Sequence, residues 1–190
     1  MKKLVIPTVL FSIIVVALAT AALFWDKEAR HAREESARTA ISTLTHQNRA
    51  EEIDVHGRPY VMYQAMNLKS TVYVKMKPAE GASKETLILN NITDNDHDEI
   101  EDLVSLPYPE SDATPITNDD GSFTDRAKVG GAERTYKAES SELAPGQNLR
   151  ITDDTGRVVA EAKLDAKKQG HVSAVSAMDD GITASVIYEK

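Results

Sequence analysis

The chain contains no cysteine among its 190 residues. Disulfide bonds, thiolate zinc sites, cysteine nucleophiles and a lipid attached to an N-terminal cysteine are therefore excluded. A domain of this size can fold without cross-links, so the absence does not argue against export. It does mean that stability has to come from packing.

The sequence also lacks the short motifs that mark common active sites. There is no G-x-S-x-G or S-x-x-K around a serine, no H-E-x-x-H and no glycine-rich phosphate loop. The histidines are scattered without the spacing of a metal site: His31, His46, His56, His97 and His171. We therefore predict a protein that is not an enzyme and that carries no cofactor.

Acidic residues are absent before Asp26, whereas Lys2 and Lys3 lie in that segment. From Asp26 onward the chain holds 20 basic and 30 acidic residues, a net charge of −10. Such a surface repels phosphate groups, so we expect neither nucleic acid nor anionic lipid to be recognised by it.

Residues 4–25 form the longest uncharged stretch, and 13 of these 22 residues are Leu, Ile, Val or Phe. As a helix the stretch would span about 33 Å, which matches a hydrocarbon core of about 30 Å. The preceding lysines favour a cytoplasmic tail at residues 1–3 and place the rest of the chain in the bacterial periplasm. We predict a retained, single-pass signal-anchor in the inner membrane. A cleaved signal peptide is the alternative, because Ala17, Ala19 and Ala21 form two small-x-small cleavage patterns.

Residues 26–52 predict a helical stalk that continues out of the membrane. They contain no Gly or Pro, and oppositely charged pairs recur at a spacing of four residues. A narrow apolar stripe runs along this helix: Ala37, Ala40, Ile41 and Leu44. We interpret the stripe as resting on the domain that follows; a dimerisation or docking face is the alternative.

From residue 53 onward, alternating apolar and polar residues predict an extracytoplasmic β domain over residues 53–190. Strands are expected at 58–66, 70–77, 85–92, 133–140, 147–153, 156–164, 171–178 and 182–189. Asp-Gly chemistry at 152–157 and 178–183 favours hairpin turns. The predicted fold class is therefore mainly β: an N-terminal transmembrane helix and helical stalk, then an antiparallel β-barrel or sandwich of about eight strands.

Two segments interrupt the strand pattern. Residues 94–106 are predicted as a short helix, because acidic residues favour a helix start. Residues 107–132 collect Pro, Gly, Ser, Thr and Asp with few apolar residues, which predicts a long, mobile loop.

The acidic segment 93–102 holds the candidate for a cation site. Asp94, Asp96 and Asp98 match the first, third and fifth positions of a calcium loop. However, Glu99 stands where glycine is needed, and Ser105 stands where a bidentate Glu is needed. An EF-hand loop is therefore rejected. A looser site for a divalent cation stays open as an alternative to an ordinary acidic surface.

Three tyrosines in the first predicted strands, Tyr60, Tyr63 and Tyr73, are the candidate partner surface. By the alternation, Tyr73 stands on the face opposite Val72 and Val74. Aromatic side chains exposed on a strand often mark contact with another protein. Tyrosines that merely cover the rim of a barrel are the alternative.

The layout as a whole predicts a non-enzymatic, membrane-anchored periplasmic accessory protein. It would bind or stabilise another envelope protein, as accessory proteins of secretion, conjugation or envelope-sensing machinery do. The alternative is an exported soluble β-barrel protein that binds a small ligand or a divalent cation after signal cleavage.

Overall fold

The fold begins with one long helix, α1, over Val5–Leu44. The computed structural model describes residues 5–46, 49–57, 60, 69–92 and 98–189, with the side chains of α1 from Ile14 on. The helix is 40 residues long, which corresponds to about 60 Å. The predicted apolar stripe is buried, with Ala37, Ala40, Ile41 and Leu44 each 4% exposed or less. The interpretation that the stripe rests on the following domain is confirmed.

The other half of α1 has a different surface. Large apolar side chains there are 47–74% exposed: Ile14, Val15, Val16, Leu18, Leu23, Phe24 and Trp25. Measured over its described residues, α1 does not reach the length and hydropathy of a membrane crossing.

The stalk is shorter than predicted, because α1 ends at Leu44 and a strand begins at Ala50. Ala50 and the two glutamates after it are helix formers by propensity. Their backbone nevertheless pairs with a neighbouring strand, with Ile53 opposite Val74 and Val55 opposite Val72. Tertiary pairing outweighs local preference at this point.

Thirteen strands follow in the described part of the chain. They are β1 Ala50–Val55, β2 Ser70–Met76, β3 Lys84–Ile92, β4 Glu99–Leu106, β5 Thr114–Thr117, β6 Phe123–Val129, β7 Ala132–Thr135, β8 Lys137–Ala138, β9 Glu142–Leu143, β10 Asn148–Thr152, β11 Val158–Lys163, β12 Gly170–Met178 and β13 Gly181–Glu189. They form a seven-stranded sheet in the order β1-β2-β3-β4-β13-β12-β9 and two three-stranded sheets, β11-β10-β8 and β5-β6-β7. Every pairing between them is antiparallel.

Most strand predictions are confirmed. The segments at 70–77, 85–92, 147–153, 156–164, 171–178 and 182–189 coincide with β2, β3, β10, β11, β12 and β13, and 133–140 divides into β7 and β8. The predicted strand at 58–66 lies outside the described residues except for Tyr60, whose backbone is helical, so the strand prediction is wrong at that residue. Both Asp-Gly segments form hairpin turns, with Gly156 and Gly181 at positive φ.

The predicted helix at 94–106 is wrong from residue 99 on, where the chain forms β4. Ile100, Asp102, Val104 and Leu106 alternate inward and are all buried. An aspartate at one inward position, next to an acidic run, hid the period of a strand. Residues 93–97 lie outside the described part.

The predicted mobile loop at 107–132 is also wrong, because it contains β5 and β6. These strands pair as a hairpin, with Thr114 opposite Lys128 and Thr117 opposite Phe123. β6 lies against β12, and Ala127 is fully buried. The hairpin was missed because so few of its residues are large and apolar.

One face of the seven-stranded sheet, the inner face, lies in the core. Its apolar members on β2, β3, β4 and β13 are 2% exposed or less: Val72, Val74, Met76, Leu87, Leu89, Ile100, Val104, Leu106, Ile182, Ala184, Val186 and Tyr188. Two acidic residues, Glu85 and Asp102, are buried on the same face. The α1 stripe and the buried side chains of β10 and β11 belong to the same core. In the described part of the chain no sheet closes on itself, so the predicted barrel is wrong. The layered arrangement is consistent with the alternative, a sandwich.

Candidate functional site

The opposite face of the seven-stranded sheet is the first candidate site, and we call it the outer face. It consists of Tyr73 and Lys75 of β2, Thr86, Ile88 and Asn90 of β3, Glu99, Glu101 and Leu103 of β4, and Ser185, Ile187 and Glu189 of β13. Its large side chains are half-exposed or exposed.

Tyr73 marks one side of the outer face, as predicted. It lies between Asp54 of β1 and Ile88 of β3 in the strand register and is 39% exposed. The His56 ring meets it edge-on with 4.8 Å between ring centroids. His56 is held in turn by a 3.0 Å contact between its Nε2 and Oδ2 of Asp54.

The other two tyrosines of the predicted surface do not join Tyr73. Tyr60 is 6% exposed, and its hydroxyl donates a 2.8 Å hydrogen bond to the Val55 carbonyl. It is therefore a buried residue that fastens the end of β1. Tyr63 lies outside the described residues. The partner surface therefore stays a prediction. Of the two described tyrosines in this set, Tyr73 is the one exposed enough to contact a partner.

Small hydroxyl residues of β4, β12 and β13 extend the outer face beyond the residues named above. Ser105 and Thr183 share a 2.8 Å hydrogen bond between neighbouring strands. Ser185 contacts Ser173 in the same way at 2.8 Å and donates to Oε1 of Glu101 at 2.6 Å. The Glu101 carboxylate is thereby oriented on the surface of the sheet.

A groove of about 850 Å³ opens at one end of the outer face. It is lined by Glu99, Ile187, Glu189, Gly170, His171, Glu142, Lys168 and Gln169. Glu142 accepts a hydrogen bond from Gln169 Nε2 at 3.0 Å and contacts His171 Nδ1 at 3.0 Å. The hydrogen bond from Gln169 is the larger cause of a lowered pKa of the Glu142 carboxyl, and the contact with His171 lowers this pKa further.

A second candidate is the buried ionic cluster formed by Arg49, Glu85 and Asp102 on the inner face. Arg49 donates from Nη1 and Nη2 to the two carboxylate oxygens of Glu85, at 2.7 Å each. Arg49 Nη1 also donates to the Lys77 carbonyl at 2.7 Å, and the Ala79 amide donates to Glu85 Oε2 at 2.7 Å. The Glu85 side chain is 1% exposed. This bidentate geometry is the strong form of an ion pair.

Asp102 lies next to this pair, because it is opposite Leu87 in the strand register and so is the diagonal neighbour of Glu85, which is opposite Val104. It is 4% exposed, and its Oδ1 has no hydrogen-bond partner among the described residues. Burial raises the pKa of Asp102 well above its ordinary value; the Glu85 charge adds to this, and the Arg49 charge opposes it. Tyr188 on β13 is a further inward neighbour, and burial raises the pKa of its phenol.

Perturbed carboxyls are frequent at active sites, but they also occur in structural ion pairs. Solvent accessibility favours the structural role here, because Asp102 and Glu85 are both almost completely buried. A substrate cannot reach either carboxyl without opening the sheet. We therefore interpret the buried ionic cluster as structural: its ion pair fixes the segment just before β1 to β3.

The candidate cation site is tested only in part. Asp98 is exposed and pairs with Lys69 at 2.7 Å. Asp94 and Asp96 lie outside the described residues. Across the described ranges, no three metal-binding side chains come together. A site that uses Asp94 and Asp96 stays a prediction.

Comparison with known proteins adds no assignment. No protein-family model matches the chain, and no curated protein or solved structure matches it either.

Proposed function

We propose that this protein is a membrane-anchored accessory protein of the bacterial envelope. Its anchor is the apolar part of α1, and its β domain faces the periplasm. The β domain binds or stabilises another envelope protein and performs no catalysis.

The observation that carries the anchor is the exposed apolar surface of α1. Seven large apolar side chains between Ile14 and Trp25 are about half exposed or more. A soluble protein rarely shows so large a contiguous apolar surface unless another surface covers it. The uncharged run at 4–25 has the length of a bilayer core, which favours lipid as that cover.

The contacts of α1 support a domain held close to the bilayer. Ala29 is 1% exposed and Arg33 is 2% exposed, and Arg33 Nη1 donates to the Ile92 carbonyl at 3.0 Å. The helix thus meets the β domain about one turn after Trp25, roughly 6 Å along its axis. Such a domain would sit at the membrane surface without a flexible tether.

Two features favour binding over catalysis. The Asp102 carboxyl, whose pKa is raised by burial, is almost completely enclosed. On the outer face Ser185 donates to the Glu101 carboxylate, but this serine is only 7% exposed, which leaves a substrate little access to its hydroxyl.

Cysteine labelling tests the anchor and its orientation, because the native chain has no thiol. Asp119→Cys places a thiol at an exposed position between β5 and β6. A maleimide that cannot cross membranes should label it in cells whose outer membrane has been permeabilised. Lys3→Cys is the matched control and should be labelled only after lysis.

Mass spectrometry of the purified protein separates the anchor from its alternative. A chain that retains residues 4–25 and stays in the membrane pellet after an alkaline wash is the expected result. Cleavage after Ala19 or Ala21, with the protein released in soluble form, would replace the anchor with an exported soluble protein.

A further inference from the structure

We infer that the outer face is a docking surface for a basic segment of a second membrane protein, next to that protein's own span. The inference rests on the proposed function and specifies the partner's chemistry. The expected segment alternates Lys or Arg with apolar residues.

The apolar part of the docking surface is a cross-strand row. Tyr73 pairs with Ile88, Ile88 with Glu101, and Glu101 with Ile187. Directly paired residues of neighbouring strands lie side by side on one face. Aromatic and aliphatic side chains therefore alternate with a carboxylate across four central strands, and a partner can bury them.

The carboxylates on this surface lack cationic partners. No Lys or Arg of the described residues forms an ion pair with the carboxylate of Glu99, Glu101 or Glu189; Lys168 Nζ lies close to Glu189 but donates to its backbone carbonyl, at 3.4 Å. Asn90 donates to Glu99 at 3.2 Å, and Ser185 donates to Glu101, but neither bond neutralises charge. Glu99 and Glu101 are also only partly exposed, so a cation brought against them would be poorly screened. Charge complementarity thus selects a basic occupant.

The position of the surface selects a membrane protein. Arg33 of α1 contacts the Ile92 end of β3. Glu99 and Glu189, which are opposite each other in the register of β4 and β13, lie at the same end of the sheet. The groove opens at this end. It is the end nearest to Trp25, so a segment bound there lies beside the bilayer. Anionic lipid would be repelled by these carboxylates.

Peptide binding to the full-length chain in detergent micelles is the first test. The probe is a labelled ten-residue peptide of alternating Lys and Leu. Two control peptides of the same length test charge, with Glu in place of Lys, and apolar contact, with Ser in place of Leu. The triple variant Glu99→Gln, Glu101→Gln and Glu189→Gln should weaken binding of the Lys-Leu peptide about tenfold or more. The Glu-Leu peptide should not bind, and the Lys-Ser peptide should bind more weakly than Lys-Leu.

The matched control removes three charges elsewhere. Asp119→Asn, Glu133→Gln and Asp179→Asn change exposed residues outside the outer face. This control should bind the Lys-Leu peptide within about twofold of the native chain. Equal losses in both triple variants would mean that only net charge matters, and unchanged binding by the first variant would mean that the outer face is not used. Either result overturns the inference.

Photocrosslinking in cells separates this inference from the proposed function. A photoreactive phenylalanine analogue at Ile88 should capture a membrane protein, with the adduct on a basic segment beside a span. Capture of a membrane protein from position Asp119 but not from Ile88 would preserve the function and overturn the docking surface. No adduct from either position would count against both, since the protein would then have no neighbour to bind. An adduct on a soluble protein would also overturn the inference.

Discussion

Replacing Asp102 by Asn tests whether the buried ionic cluster is organised as the structure indicates. Asp102 is 4% exposed on the inner face of β4, where burial and the nearby Glu85 charge raise its pKa. Asparagine has nearly the shape of aspartic acid and stays neutral at every pH. The variant therefore imitates the protonated form of the native residue.

The sign of the pH effect follows from proton binding. An unfolded aspartate titrates near pH 3.9, while the folded pKa of Asp102 lies well above its ordinary value. Between these two values the folded state holds one more proton than the unfolded state. The free energy of unfolding should then fall as the pH rises, by about 1.4 kcal/mol per pH unit, until the folded pKa is reached. Below about pH 3.9 this contribution is fully present.

Asp102→Asn should remove that slope. The variant should gain stability relative to the native chain as the pH rises from 5 to 7, by up to about 2.7 kcal/mol over that range. Urea unfolding of the full-length chain in micelles, followed by circular dichroism at pH 5, 6 and 7, measures the difference. Asp119→Asn removes one exposed charge and serves as the control.

Parallel pH curves for Asp102→Asn and the native chain would refute the reasoning, because Asp102 would then titrate alike in the folded and unfolded states. A variant whose relative stability decreases toward pH 7 would refute it more strongly. That result would mean that Asp102 is ionised in the fold and is stabilised by Arg49.

The remaining predictions concern packing and backbone, and each is measured by the same unfolding assay. Ile41→Ala removes a side chain that is 1% exposed and should cost about 2–5 kcal/mol, whereas the exposed control Thr39→Ala should stay within about 0.5 kcal/mol. Gly181→Ala places a Cβ 2.2 Å from the Leu106 carbonyl oxygen and should cost about 1–3 kcal/mol more than Gly146→Ala, which has positive φ but no atom within 4 Å. Arg49→Met leaves a buried carboxylate without its partner and should cost about 3–5 kcal/mol; a smaller cost would mean that water replaces the guanidinium.

The sequence predicts those strands whose inward positions are uniformly apolar. β13 is the clearest, because Ile182, Ala184, Val186 and Tyr188 alternate without interruption and are all buried. The α1 stripe is predicted for the same reason at helical spacing. In each case the local pattern is also the pattern of burial, so no knowledge of the partners is needed.

Prediction fails where a distant residue changes what a position can hold. Asp102 reads as surface, yet it is buried on β4 beside a carboxylate held by Arg49. Arg49 and Glu85 are 36 residues apart in sequence, and nothing local to either announces the ion pair. Tyr60 fails similarly, because its partner is the backbone of β1. The buried ionic cluster could have been suspected only from an inward-facing aspartate, and recognising it required identifying β4 first.

The helix contacts explain why the direction of the outer face is fixed relative to the anchor. Near one end of the sheet, Arg33 of α1 is bonded to Ile92; at the end of the helix, the Leu44 carbonyl accepts a 2.6 Å hydrogen bond from the Lys167 amide. Two attachments about 11 residues apart along α1, roughly 16 Å, prevent the sheet from turning about the helix. Because the stripe between them lies on the inner face, the outer face must point away from the helix. A span that crosses the bilayer beside α1 on the side of the sheet would therefore bring its flanking residues to the acidic groove, whereas one on the opposite side would not.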